Sequence, residues 1–202
     1  MSLADGGLLT GTRFGGGHRI VVMLHGMRYD QSSWHPFAAE LATTGLAPLT
    51  LDFRGYGTSS ARKQPGSDAG DVASVVARLR ADGASEVSLL GGSMGGGAAL
   101  EAAALFGAKV DRIAVLSPAV EPTRLAGKLP TVPMLILASE AEPMADEAIA
   151  LQRMSPHLAQ IHLYPGDAHA QRLLVGPHQA DVRARLVRFF SDGMREQPDI
   201  GR

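Results

Sequence analysis

The chain has 202 residues, 45% hydrophobic and 19% charged, with a net charge of −1. This balance fits one globular domain with a sizeable core and excludes a disordered or fibrous chain, and the near-neutral charge gives nucleic acid or an anionic membrane surface nothing to grip. There is no cysteine, which excludes disulfides, thiolate metal sites and a cysteine nucleophile.

Taken in chain order, Met1 to Thr10 lack a basic segment followed by an apolar stretch. No apolar run approaches bilayer length, so cytoplasmic residence is the expectation. Gly7 to Phe14 reads as an antiparallel edge strand, and Gly15-Gly16-Gly17 as a turn. That triplet precedes a strand and lacks the Lys-Ser/Thr ending of a phosphate-binding loop. Six short apolar runs then read as strands buried on both faces: Ile20 to Leu24, Pro48 to Asp52, Val87 to Leu90, Arg112 to Leu116, Met134 to Ala138 and Ile161 to Tyr164. Between and after them, Trp34 to Thr44, Ala69 to Asp82, Met94 to Phe106, Met144 to Met154 and Pro177 to Phe190 carry helical spacing. Gly45, Gly83 and Gly107 stand just past three of these helices, where a left-handed terminating residue is wanted. Asp30, Ser32 and Ser33 offer capping oxygens before the first, and Pro36 is tolerable in its opening turn. The alternation predicts one open α/β sheet, mostly parallel, with helices on both faces. Residues 1–17 form a peripheral edge segment in this reading, and 193–202 a peripheral tail. Ligands of such sheets bind beyond the carboxyl ends of the strands.

Gly91-Gly92-Ser93-Met94-Gly95 lies at such an end, between a strand and an alanine-rich helix. In a chain with 24 glycines the motif is weak by itself, but a serine on a sharp strand-to-helix turn is what a nucleophile elbow requires. A serine hydroxyl needs a base, and the base an orienting carboxylate. Of seven histidines, His169 follows the last strand and precedes the final helix; His178, opening that helix, is the competitor. The loop after Met134 to Ala138 supplies Glu142, favoured beside Pro143, with Glu140 as runner-up and Asp146 further on. Glu121 is a third choice. The ordinary reading of each such acid is a solvated loop carboxylate. The order serine, acid, histidine is that of one hydrolase class. Oxyanion donors are expected from the Met94 amide, at the start of the helix after Ser93, and from the Met27 amide after His25-Gly26. A plain strand-ending turn would also explain His25-Gly26. His25, Tyr29, Met94, Met144 and Leu173, with Met27, are the candidates for a substrate pocket. Methionines and Tyr29 in such places also serve as ordinary packing.

Leu24-His25-Gly26, Asp52-Phe53-Arg54-Gly55-Tyr56-Gly57-Thr58-Ser59 and Gly91-Gly92-Ser93-Met94-Gly95, in this order, resemble the α/β-hydrolase superfamily from about Ile20 to Phe190. The resemblance implies Ser93, Glu142 and His169 as nucleophile, acid and base, and a mainly structural role for Asp52 to Ser59. Glu142 departs from the aspartate more usual there. Only Ala119 to Val132 separates the strands between which many members insert a helical lid, so a lidless form is expected. The implied activity is acyl transfer to water from a carboxylic ester or related small-molecule acyl substrate, without metal or organic cofactor, nucleic acid or membrane partner. Thioester or carbon–carbon bond hydrolysis on the same residues, and a non-catalytic binding protein keeping the pocket, are the alternatives.

Overall fold

Parallel strands buried on both faces need apolar side chains at consecutive positions, and the central strands of this chain supply them. In the computed structural model, which describes residues 1–191 except 4, 61–65 and 156, seven strands form one sheet. They are β1 (Gly11–Arg13), β2 (Arg19–Leu24), β3 (Ala47–Leu51), β4 (Glu86–Gly92), β5 (Arg112–Leu116), β6 (Met134–Ser139) and β7 (Ala159–Tyr164). Their order is β1-β3-β2-β4-β5-β6-β7. β1 is antiparallel to β3 and every other pairing is parallel.

Five α-helices cover the sheet: α1 (His35–Ala42), α2 (Ser67–Ala81), α3 (Met94–Leu105), α4 (Ala145–Met154) and α5 (Gln179–Ser191). Successive strand side chains point to opposite faces, which splits the core in two. Ile20, Val22 and Leu24 of β2 join Val72 and Val76 of α2, Ala99 of α3 and Leu151 of α4 on one face. Val21 and Met23 join Phe37 and Leu41 of α1 and Val182, Leu186 and Phe190 of α5 on the other.

The expected elements are present, with changed ends. The edge strand expected over Gly7 to Phe14 shrinks to Gly11–Arg13, facing Leu49 to Leu51. The first helix begins as a 3-10 turn, Gln31–Trp34, capped by Asp30, whose carboxylate accepts from the Ser32 amide at 2.8 Å. It stops at Ala42, because the Thr43 and Thr44 hydroxyls take the carbonyls of Glu40 and Leu41 at 2.7 Å each. β4 runs through Gly91 and Gly92, two residues beyond the expected Leu90, since Leu24 pairs with Gly91 and Leu116 with Gly92. β7 begins at Ala159, two residues before the expected Ile161. The expected tail, 193–202, lies outside the described residues.

Asp52 to Ser59 forms a polar brace at the end of β3, with Asp52, Phe53 and Arg54 buried. The Asp52 carboxylate accepts from the Gln31 amide at 2.9 Å, the Gln31 side chain at 2.8 Å and the Thr58 amide at 3.1 Å. Arg54 forks onto Asp71 of α2, at 2.6 and 2.9 Å. A buried bidentate pair of this kind fixes one geometry. Between β5 and β6 the chain makes only the short 3-10 turn Pro122–Leu125, with no helical insert. No helix among the described residues is long and apolar enough to cross a membrane.

Candidate active site

β3 lies on one side of β2 and β4 on the other, so the connections leaving β2 and β4 diverge from neighbouring strands. That switch point at the carboxyl edge is where open α/β sheets bind ligands. Gly26 to Tyr29 follow β2 there, and Ser93 follows β4. Ser117, Glu142 and His169 follow β5, β6 and β7 on the same edge.

Ser93 has φ 51° and ψ −115°, a conformation non-glycine residues rarely adopt. Three backbone hydrogen bonds hold it: its amide donates to the Leu116 carbonyl at 2.9 Å, and its carbonyl accepts from the Gly97 and Ala119 amides at 3.0 Å each. The turn also needs bare backbone around it. A Cβ on Gly95 would stand 2.3 Å from the Leu24 carbonyl oxygen, and one on Gly91 2.3 Å from the Gly95 oxygen. The flanking glycines of the motif are therefore contact surfaces between β2, β4 and α3.

The Ser93 hydroxyl lies 2.8 Å from His169 Nε2, and His169 Nδ1 lies 2.6 Å from Glu142 Oε2. With an ionised Glu142, which can only accept, Nδ1 carries the proton. Nε2 is then the acceptor facing the serine O–H. Glu142 is 5% exposed, and its second oxygen has no hydrogen-bond partner among the described residues. The carboxylate thus meets the imidazole through Oε2, which the Met144 amide also approaches at 3.4 Å. The other acids are placed elsewhere: Glu140 and Asp146 are exposed, and Glu121 accepts from the Thr123 hydroxyl. His178 stacks on Tyr164 at 5.2 Å.

The His169 loop is clamped on both sides. The Ser139 hydroxyl donates to the Ala168 carbonyl at 2.8 Å, and the Ala170 amide donates to the Ser117 hydroxyl at 3.0 Å. Sequence reasoning did not single out either hydroxyl. The available signal was positional, since both serines stand where a strand meets the carboxyl edge.

The open space beside Ser93 is a cleft of about 340 Å³, lined by Gly26, Met27, Arg28, Tyr29, Ser93, His169, Ala170 and Arg172. Met27 is 64% exposed, and its amide makes no hydrogen bond among the described residues. Tyr29 lines the cleft as expected. His25 and Leu173 do not. His25 is fully buried, with Nδ1 2.9 Å from the Gly26 carbonyl and Nε2 accepting from the Phe53 amide at 3.2 Å. It spans two strand ends, because a ring at that position has both of its nitrogens occupied by backbone. Leu173 is 1% exposed and joins the core beneath α5; the 3-10 turn Ala170–Leu174 points it inward. Met144 is half-buried at the start of α4 and outside the cleft lining, its amide 3.4 Å from Glu142 Oε2. Met94 starts α3 and is likewise outside the lining, near the Tyr56 hydroxyl. Arg28 and Arg172, which sequence reasoning passed over, do line it.

Comparison with solved structures gives the same architecture at low identity. A monoacylglycerol lipase from Paleococcus ferrophilus aligns with a TM-score of 0.77 and 14% identity, over 92% of this chain and 99% of that one. The Pyrococcus furiosus esterase Pf2001 aligns at 0.76 and 16%, over 96% and 91%. Est1E from Butyrivibrio proteoclasticus, solved with ferulic acid bound, aligns at 0.79 and 16%, over 95% and 98%. No curated protein matches the sequence. The model of the alpha/beta hydrolase family matches residues 21–199, which include every strand from β3 to β7 and the whole of the site described above. With that match over most of its length and this fold, the chain belongs to the alpha/beta hydrolase family.

Proposed function

We propose that the protein is a serine hydrolase that cleaves a carboxylic ester or related acyl substrate through an acyl-enzyme on Ser93. The observation that carries this reading is the continuous hydrogen-bonded line from Glu142 through His169 to Ser93, ending at a strained serine at the N-terminus of α3. In this mechanism His169 Nε2 accepts the hydroxyl proton as Ser93 Oγ bonds to the substrate carbonyl carbon. The Met27 and Met94 amides donate to the developing oxyanion, each contributing about 10²- to 10³-fold in rate. The imidazolium, held by Glu142, returns its proton to the leaving alcohol as the carbon–oxygen bond breaks. Water then attacks the acyl-enzyme, giving its proton to His169, and Ser93 is regenerated.

The experiment is intact-mass analysis after treatment with a fluorophosphonate, with peptide mapping and Ser93→Ala as control. One adduct on Ser93, absent from the variant, supports an activated serine. Folded protein that takes up no adduct points instead to a binding role. A panel of esters and thioesters then assigns the acyl class, since both are cleaved by the same steps.

A further inference from the structure

The cleft is lined by two chain segments that meet at Ser93: Gly26 to Tyr29, after β2, and His169 to Arg172, after β7. Each contributes one arginine. Both arginines are exposed, and neither side chain has a hydrogen bond or ion pair among the described residues. Arg19, Arg54, Arg78, Arg80, Arg124, Arg183 and Arg185 hold carboxylates, and of the described arginines without one only Arg28 and Arg172 line this cleft. Among the described residues no acid lines the cleft. The closest acid along the chain, Asp30, lines the neighbouring groove together with Arg28 and accepts from the amide and hydroxyl of Ser32 on one oxygen, Oδ1, with no ion pair to Arg28. The rest of the lining is small, apolar or reactive. Two guanidinium groups without partners among the described residues thus stand beside Ser93 in a protein whose net charge is −1.

We propose that Arg28 and Arg172 select a substrate bearing a carboxylate close to its scissile ester. This rests on the serine-hydrolase reading and narrows it to anionic esters. A guanidinium presents a planar fork of donors that matches a carboxylate, and its charge persists across the pH range of ester hydrolysis. Because the cleft is open to water, each contact is weak singly, and the pair together favours the anion by about tenfold. The anion can stand on the acyl side or on the alcohol side of the ester, and the two are separable by substrate design.

The test compares two matched pairs. On the acyl side, mono-para-nitrophenyl isophthalate, whose meta carboxylate cannot reach its own ester, is set against its methyl ester; on the alcohol side, meta-acetoxybenzoate is set against its methyl ester. Methylation removes the charge and leaves the scissile bond. The expected result is a kcat/KM about tenfold higher for the charged member of at least one pair. That ratio falls towards one in Arg28→Gln/Arg172→Gln and largely survives in Arg28→Lys/Arg172→Lys. It also collapses near 1 M salt, where the screening length is about 3 Å. Binding of the same four compounds to Ser93→Ala, measured by calorimetry, reads charge selection without turnover. Ratios near one in both pairs, in turnover and in binding, overturn the proposal, as does a preference that survives the double glutamine variant. If no ester is cleaved and Ser93 takes no fluorophosphonate, the hydrolase reading fails while calorimetry still decides the charge selection. If the neutral esters are cleaved as well as the charged ones, only the charge selection fails.

Discussion

Ser117 and Ala170 are two non-glycine residues in left-handed conformations, at φ 50° and 52°, and the hydroxyl of one accepts the amide of the other at 3.0 Å. The bond ties the end of β5 to the residue after His169, and both partners are fully buried. Its removal leaves a buried amide without an acceptor, at a cost of about 1–3 kcal/mol. Ser117→Ala is therefore expected to lower stability by that amount in denaturant titration. Under the proposed mechanism it also lowers kcat with little change in KM, because the imidazole loses its fixed height over Ser93. A variant that loses stability but keeps full kcat would show that the Ser139 clamp alone positions the loop.

In the proposed mechanism Ser93 and His169 act as one unit. Ser93→Ala and His169→Ala are each expected to reduce kcat by about 10⁴- to 10⁶-fold, and the double variant by little more than either. Strictly additive losses in steady-state kinetics would contradict a shared proton transfer. Glu142→Gln, which leaves the shape and removes the charge, should cost far more than Glu140→Gln, whose carboxylate is exposed. The opposite ranking would move the acid.

Burial holds the His25 imidazole below its ordinary pKa, against a smaller opposing effect of the Gly26 carbonyl. The folded protein keeps this ring neutral at a pH where the unfolded chain already protonates it. Stability is thus complete above the unfolded value of about 6.5 and declines as pH falls below it, towards the depressed folded value. The slope from this one group is at most about 1.4 kcal/mol per pH unit. Urea midpoints of the wild type and His25→Asn, measured from neutral to mildly acidic pH, check this. The variant should start less stable and show a shallower dependence.

Gly95 meets the Leu24 and His25 carbonyl oxygens, at 2.3 and 2.8 Å from where a Cβ would be. Both obstacles are backbone and cannot swing aside. Gly95→Ala is expected to push α3 off β2 and cost several kcal/mol, about the upper range for single substitutions. Circular dichroism melting against Gly45→Ala, where nothing lies within 4 Å and only the φ of 86° is strained, separates packing from conformational cost. Equal losses in the two variants would show that the contact is relieved by a small backbone shift.

The fold was legible because its strands are continuous apolar runs, which only burial on both faces explains. Met134 to Ala138 and Arg112 to Leu116 could be placed almost to the residue. Element ends were less legible, since they depend on side chains returning to the backbone, as Thr43 and Thr44 do. At the site, position after a strand was enough to bring forward Ser93, Glu142 and His169. Pocket residues were another matter. Leu173 and Arg172 are adjacent, and which of them faces the cleft depends on the phase of a five-residue 3-10 turn. Apolar composition favoured Leu173, and the turn buries it. His25 was equally opaque, because both backbone groups that occupy its ring depend on the pairing of β2 with β3.

β4, which leads into Ser93, has parallel neighbours on both sides, whereas β7, which leads into His169, is the last strand of the sheet and is half-exposed over Ile161 to Leu163. The two groups of the proposed proton transfer therefore hang from supports of unequal strength. On warming, the margin of a sheet opens before its centre, so the imidazole departs while the serine turn is still intact. Under the proposed mechanism, turnover is expected to fade on heating ahead of the cooperative loss of the core, which residual activity followed beside circular dichroism on one temperature ramp checks.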